Sequence, residues 1–123
     1  MSAARAILIV DDNVTNLKLA ADVLEAEGYA VLRAQDAAGA QQVLAEKLPD
    51  LILLDIQLPG VDGLSFARLL KGDTRYAPIP IIALTAFAMK GDDEVAREAG
   101  CIGYISKPID TRKFPSQVEE FLR

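Results

Sequence analysis

In the stretch LILLDIQLPGVDG, residues 51–63, four large apolar residues run straight into an aspartate, with a Gln-Leu-Pro-Gly turn two residues further on. A run as apolar as Leu51 to Leu54 belongs to a strand covered on both faces. An unpaired carboxylate inside such a core costs several kcal/mol or gives up its charge. A strand that ends on Asp55 therefore has to deliver the acid to the rim of the core, where something balances it.

The surrounding sequence repeats the same alternation of short apolar runs and helical periods. AILIV (6–10) is nearly continuous and β-branched, a second doubly covered strand. Val14, Leu17, Ala21 and Leu24 then fall at helical spacing, and Gly28 closes that helix. YAVLRA (29–34) reads as a strand, and Asp36 caps a helix whose face is Ala40, Val43, Leu44 and Leu48, ended by Pro49.

On the far side of residues 51–63, Leu64, Ala67 and Leu70 predict a helix, and Pro78 and Pro80 lead into the strand IIAL (81–84). DDEVAREAG (92–100) is a charged helix with a thin apolar face of Val95, Ala96 and Ala99, and IGYIS (102–106) is a strand. Phe114, Val118, Phe121 and Leu122 form the last helix, whose first turn Pro115 makes late or irregular. Strands and helices alternating five times predict an α/β fold, a flavodoxin-like (βα)5 doubly wound sandwich around a parallel sheet of order 2-1-3-4-5.

Composition narrows the function. The 123 residues suit one domain, 1–123, and 51% apolar with 25% charged residues is a globular balance rather than a disordered one. No apolar run is long enough to span a bilayer and the N-terminus has no cleavable signal pattern, so a soluble, cytoplasmic protein without membrane contact is expected. Cys101 is the only cysteine and forms no internal disulfide. The chain has no histidine, which excludes Ser-His-Asp and Cys-His catalysis and most zinc sites. A net charge of −5 argues against nucleic acid as a partner.

In open α/β sheets ligands bind beyond the carboxyl ends of the strands, where the strand order reverses. Asp11 and Asp12 follow the first strand, Asp55 the third, Thr85 the fourth, and Lys107 with Pro108 the fifth. Taken singly these have ordinary explanations: a helix cap, a common strand-end threonine, a solvated lysine. Their coincidence at one edge is the signal. Three crowded carboxylates repel unless a cation joins them, and hard oxygen donors favour Mg2+. With Lys107 alongside, the inventory suits phosphoryl transfer, Asp55 serving as a nucleophile that forms an acyl phosphate.

ILIVDDN, DLILLDIQLPGVDG, IIALTA and YISKPI together resemble the CheY-like receiver domain of two-component response regulators, over essentially the whole chain. TAFAMKGD and GYISKPI are similar to stand-alone receivers of the DivK type and to receivers of hybrid histidine kinases. The resemblance implies that Asp55 accepts a phosphoryl group from a phosphohistidine on a histidine kinase or histidine phosphotransfer protein. It implies that Asp11, Asp12, Asp55 and the main-chain carbonyl of Gln57 bind Mg2+. Lys107 would pair first with Asp55 and then with the phosphoryl group, Thr85 would be the switch hydroxyl, and Tyr104 the switch aromatic that turns inward. The Lys107-Pro108 bond would be cis.

The resemblance further implies a downstream protein target, read by the surface of the fourth helix, fifth strand and fifth helix, and it admits a phosphorylation-dependent homodimer. Phe87, which offers nothing to orient an attacking water, implies slow self-dephosphorylation, while AFAM (86–89) reads as packing under the fourth helix in preference to the alternative, a partner-binding patch. The sequence stops at Arg123, directly after the last predicted helix: if that end is the protein's own, the output is expected from a separate partner or from passage of the phosphate onward, and if the chain is an excised domain, the output lay in the part cut away. The rivals are a phosphorylation-independent receiver scaffold, an aspartyl-phosphate-forming phosphatase and a flavin carrier. The phosphatase would need an Asp-x-Asp pattern after the first strand, where Asp11-Asp12-Asn13 stands, and the flavin carrier a Ser/Thr/Gly-rich loop there.

Overall fold

Five strands, β1 (Ala6–Val10), β2 (Ala30–Ala34), β3 (Leu51–Asp55), β4 (Ile81–Thr85) and β5 (Gly103–Ser106), make one parallel sheet of order β2-β1-β3-β4-β5. Between and after them run α1 (Val14–Ala26), α2 (Ala37–Glu46), α3 (Gly63–Lys71), α4 (Asp92–Glu98) and α5 (Phe114–Leu122). The computed structural model describes residues 5–58, 62–85 and 92–122, the side chains of residues 92 and 93 excepted.

Strands β1, β3 and β4 are buried at every position because alternate residues feed two separate cores. Leu8, Ile52, Leu54 and Ile81 pack with Leu44, Phe66 and Leu70 on the face carrying α2, α3 and α4. Ile7, Leu51, Leu53 and Ile82 pack with Leu17, Leu24, Phe114 and Val118 on the face carrying α1 and α5. The less apolar β2 and β5 form the sheet edges and are only partly covered.

Three helices start on the same device. Asn13, Asp36 and Asp62 accept hydrogen bonds from the backbone N–H of Asn16 (3.0 Å), Gly39 (2.7 Å) and Ser65 (2.9 Å). Each such cap contributes about 1 kcal/mol. All three sit at the carboxyl ends of strands, so the caps also aim the chain away from the sheet edge where the polar residues collect.

The expected order, alternation and strand positions hold, with local corrections. Val14 is 60% exposed in the first turn of α1, and the inner face of that helix is Leu17, Ala20, Ala21 and Leu24. Leu48 lies beyond the end of α2 and is 55% exposed, because Lys47 is already extended (φ −150°, ψ 131°). Val95 is also exposed, and among the described residues of this segment the small Ala96, with Ala99 just past the end of α4, packs into the core. Glu27 is the C-cap of α1, with Gly28 one residue further at φ +95°, where an L side chain is disfavoured. Pro115 stands in the first turn of α5, where its missing N–H has no helical partner to lose.

Lys71, the last residue of α3, ties three elements together opposite the polar edge. Its Nζ donates to the carbonyls of Ala77 and Ile79, both at 2.9 Å, in the segment leading to β4. Its methylenes lie against Gly100, which turns the chain from α4 toward β5 at φ +105°. A Cβ at Gly100 would both strain the backbone and collide with Lys71 Cγ. Gly100→Ala is accordingly expected to lose about 1–2 kcal/mol of stability. A urea midpoint equal to that of the unmodified protein would contradict this contact.

Beside that turn, burial pushes the Cys101 thiol up to about 11 from an ordinary value near 9. The fold thus favours the neutral thiol. The stability this adds is complete below pH 9 and is lost as pH rises toward 11. The expected result is a fall in the urea midpoint over that range that is smaller in Cys101→Ala, with alkylation of the unmodified protein requiring unfolding.

Candidate functional site

Strands β1 and β3 are neighbours in register, Val10 opposite Leu54, so the residues that follow them open side by side. This brings Asp11 next to Asp55, and both are buried, at 2% and 5% exposure. Lys107, leaving β5, reaches between them: its Nζ lies 2.7 Å from Asp55 Oδ2 and 2.9 Å from Asp11 Oδ2. The other oxygen of each acid accepts a backbone N–H two residues on, Asn13 N to Asp11 Oδ1 at 2.9 Å and Gln57 N to Asp55 Oδ1 at 2.8 Å. The acid that ends β3 is thus satisfied from two sides, by a lysine from the far edge of the sheet and by its own chain turning back.

Lys107 is held in place through its main chain as well. Its N–H donates to the Thr85 carbonyl at 2.7 Å, which ties the end of β5 to the end of β4, and the Lys107–Pro108 peptide is cis. Thr85 is itself buried, at 2% exposure, one residue beyond the Leu84 that pairs with Asp55. Asp11, Asp55 and Thr85 are the buried polar or charged residues among those described, and all three stand at one edge. Asp12 is exposed at the mouth.

The electrostatics of the cluster are unequal. Burial pushes the Asp55 carboxyl up and outweighs the opposing hydrogen bonds from Lys107 and the Gln57 amide; the nearby Asp11 adds to the rise. Burial pulls the Lys107 ammonium down, but its hydrogen bonds and charge attraction to Asp55 and Asp11 outweigh this and hold it above the ordinary lysine value. One cation between two buried anions leaves net negative charge at a place open on one side, a setting that draws a further cation.

This strand-end constellation on a 2-1-3-4-5 sheet coincides with a known family: the description of the response regulator receiver domain matches residues 7–119. The chain belongs to the response regulator receiver family. As a receiver it is similar to the polar-differentiation response regulator DivK of Brucella anthropi, at 47% identity over 118 residues covering 96% of both chains. It also resembles the receiver domain of a Pseudomonas aeruginosa sensor histidine kinase, with a TM-score of 0.86 at 32% identity over 98% of each chain. The structure of that domain has a magnesium ion coordinated in its active-site cleft. The chemotaxis response regulator CheY4 of Vibrio cholerae shares the fold at a TM-score of 0.90, with 22% identity over 95% of this chain and 98% of that one.

The donor set of this receiver fits a hard divalent cation. Asp11, Asp12 and Asp55 each offer a carboxylate oxygen, and the three oxygens lie within 4.8 Å of one another, with no nitrogen or sulfur donor among the group. Gln57, expected to add a main-chain carbonyl, follows Asp55 directly around the turn, and its side chain is exposed. Tyr104, expected to turn inward, is 41% exposed in this structure. Phe87 and the AFAM segment lie outside the described residues.

Two contributors were not singled out from sequence. Asn13 acts twice, its N–H on Asp11 and its side chain capping α1. The signal was present, since an acid at a strand end readily accepts from the amide two residues on, as Asp11 and Asp55 both do. Gly63, the second, donates its amide N–H to the Ile56 carbonyl at 3.0 Å beyond the end of β3.

Proposed function

We propose that this chain is a phospho-accepting receiver unit, residues 1–123, of a two-component or phosphorelay system, with Asp55 as the acceptor. The observation that carries the reading is the Asp55 carboxylate at the rim of the core, bridged by Lys107 to Asp11, with Asp12 at the mouth. An Asp55 oxygen would attack the phosphorus of a phosphohistidine, the P–N bond would break, and the imidazole would leave as an aspartyl phosphate forms. The donor histidine belongs to a histidine kinase or histidine phosphotransfer partner, since this chain has none.

Asp11, Asp12, Asp55 and the Gln57 carbonyl would hold Mg2+, which when bound offsets the charge of the phosphoryl oxygens. Lys107 would exchange its bond to Asp55 for one to the phosphoryl group. The Thr85 hydroxyl would move onto a phosphoryl oxygen, and Tyr104 would turn inward as it does. Such contacts exist in only one of two arrangements and so shift the population toward it. The readout would be the α4–β5–α5 face, where Val95, Ile102 and Tyr104 are exposed for a protein target or a second copy.

The only chemistry required is the chain's own phosphorylation and dephosphorylation, which makes it a signalling component rather than an enzyme with turnover. The 47% identity to DivK supports an output of the polar-differentiation class. Among the described residues no helix is long and apolar enough to cross a membrane, and a cytoplasmic setting suits this role. The test is intact mass after incubation with Mg2+ and a small acyl phosphate. One added phosphoryl group that requires Mg2+ is expected. A folded protein that gains no mass, even with a phosphorylated histidine phosphotransfer protein as donor, would favour a scaffold instead.

A further inference from the structure

Helix α3 meets the acceptor strand through a residue without a side chain. Gly63 opens the helix, and a Cβ placed on it would overlap the Asp55 carbonyl oxygen, stand 2.5 Å from Ile56 Cα and 2.9 Å from the Asp55 carbonyl carbon. All three are backbone atoms, which cannot swing aside as the tip of a side chain can. No left-handed backbone explains the glycine, since among the described residues the positive-φ glycines are Gly28 and Gly100. In ordinary helical geometry alanine is favoured over glycine by about 0.5–1 kcal/mol. The close approach is the reason that remains.

The peptide under Gly63 is the one that orients the acceptor. It joins Asp55 to Ile56, and the next amide, Gln57 N–H, holds Asp55 Oδ1 at 2.8 Å. Helix α3 cannot retreat freely from it. Phe66, Ala67 and Leu70 are buried in the core, and Lys71 pins the other end to Ala77 and Ile79. We infer that Gly63 is a positioning residue for the acceptor site. Its bare Cα against the Asp55–Ile56 peptide sets where the Asp55 carboxylate and the Gln57 amide and carbonyl stand relative to Asp11 and Lys107. This rests on the receiver reading above.

Gly63→Ala tests it, with Gly72→Ala as the control at the opposite end of the same helix. A Cβ at Gly72 would meet only Arg68 O at 3.5 Å and Leu69 O at 3.6 Å, ordinary contacts. The readouts are the Kd for Mg2+ by calorimetry, the rate of acyl-phosphate labelling by intact mass, and cooperative unfolding. Loss of a group that orients a metal ligand typically costs 10–100-fold in affinity. The expected result is a folded Gly63→Ala protein with at least a tenfold higher Kd for Mg2+ and slower labelling, the Gly72→Ala protein matching the unmodified one. A Gly63→Ala protein with unchanged Kd and rate overturns the inference alone. An unmodified protein that neither binds Mg2+ nor accepts a phosphoryl group overturns the receiver reading beneath it. Should Gly63→Ala not fold, hydrogen exchange at the Gly63 amide of the unmodified protein decides: slowing in saturating Mg2+ is expected, and an unchanged rate overturns the inference.

Discussion

Asp55→Asn protein incubated with Mg2+ and a small acyl phosphate is expected to keep its mass, while the unmodified protein gains one phosphoryl group. The amide is no nucleophile, and among the described residues no second acid stands in an equivalent position: Asp11 shares the Lys107 bridge but follows a different strand, and Asp12 is exposed. The same substitution should change how stability depends on pH. Burial raises the Asp55 carboxyl above its ordinary 3.8, so in the folded protein the acid resists ionising. The stability tied to its protonated form is complete below 3.8 and is lost as pH rises through the higher folded value. The metal-free urea midpoint of Asp55→Asn should therefore gain on that of the unmodified protein as pH climbs above about 4. A gap that stays constant would mean that Asp55 is not desolvated as the structure has it. An adduct on Asp55→Asn would remove Asp55 as the acceptor.

Lys107→Met is expected to be the most destabilising change at the site in metal-free protein. The Lys107 side chain is 14% exposed and bridges the carboxylates of Asp11 and Asp55, whose side chains are themselves 3% and 7% exposed. Removing one member of a buried ionic cluster leaves charge uncompensated, at a cost of about 3 kcal/mol. For a domain of this size that is a fall in Tm of about 10 °C at neutral pH. Two treatments should restore much of the loss by different routes: acid, which protonates Asp55, and Mg2+, which returns a cation to the cluster. Lys113→Met is the control, since Lys113 is exposed. A Tm within 2 °C of the unmodified protein, about the size of an ordinary surface change, would rule out the bridge as a structural element.

Most of the architecture was legible because it follows from local pattern. The doubly covered runs AILIV, LILL and IIAL are so uniformly apolar that each had to lie in the middle of a sheet, and β1, β3 and β4 do. Asp36 announced its helix by residue type alone. The misread positions are those where a period runs past the end of its helix or out of its core. Leu48 continued the rhythm of α2, but the chain had already extended at Lys47. Val14 and Val95 matched a helical face whose first turn or outer edge the neighbouring elements leave uncovered.

By itself, the sequence determined the alternation of five strands and helices, the placing of Asp11, Asp12, Asp55, Thr85 and Lys107 at strand ends, and the absence of any histidine to share the chemistry. These depend on hydrophobic period and residue type, which act over a few residues. Only the tertiary structure decided that one ammonium bridges two carboxylates at 2.7 and 2.9 Å, that burial lifts the Asp55 carboxyl, and that Gly63 must be bare because a backbone lies against it. Those facts come from groups far apart in the chain meeting at sub-ångström tolerances in a place water scarcely reaches, and no local pattern encodes either the distance or the dielectric.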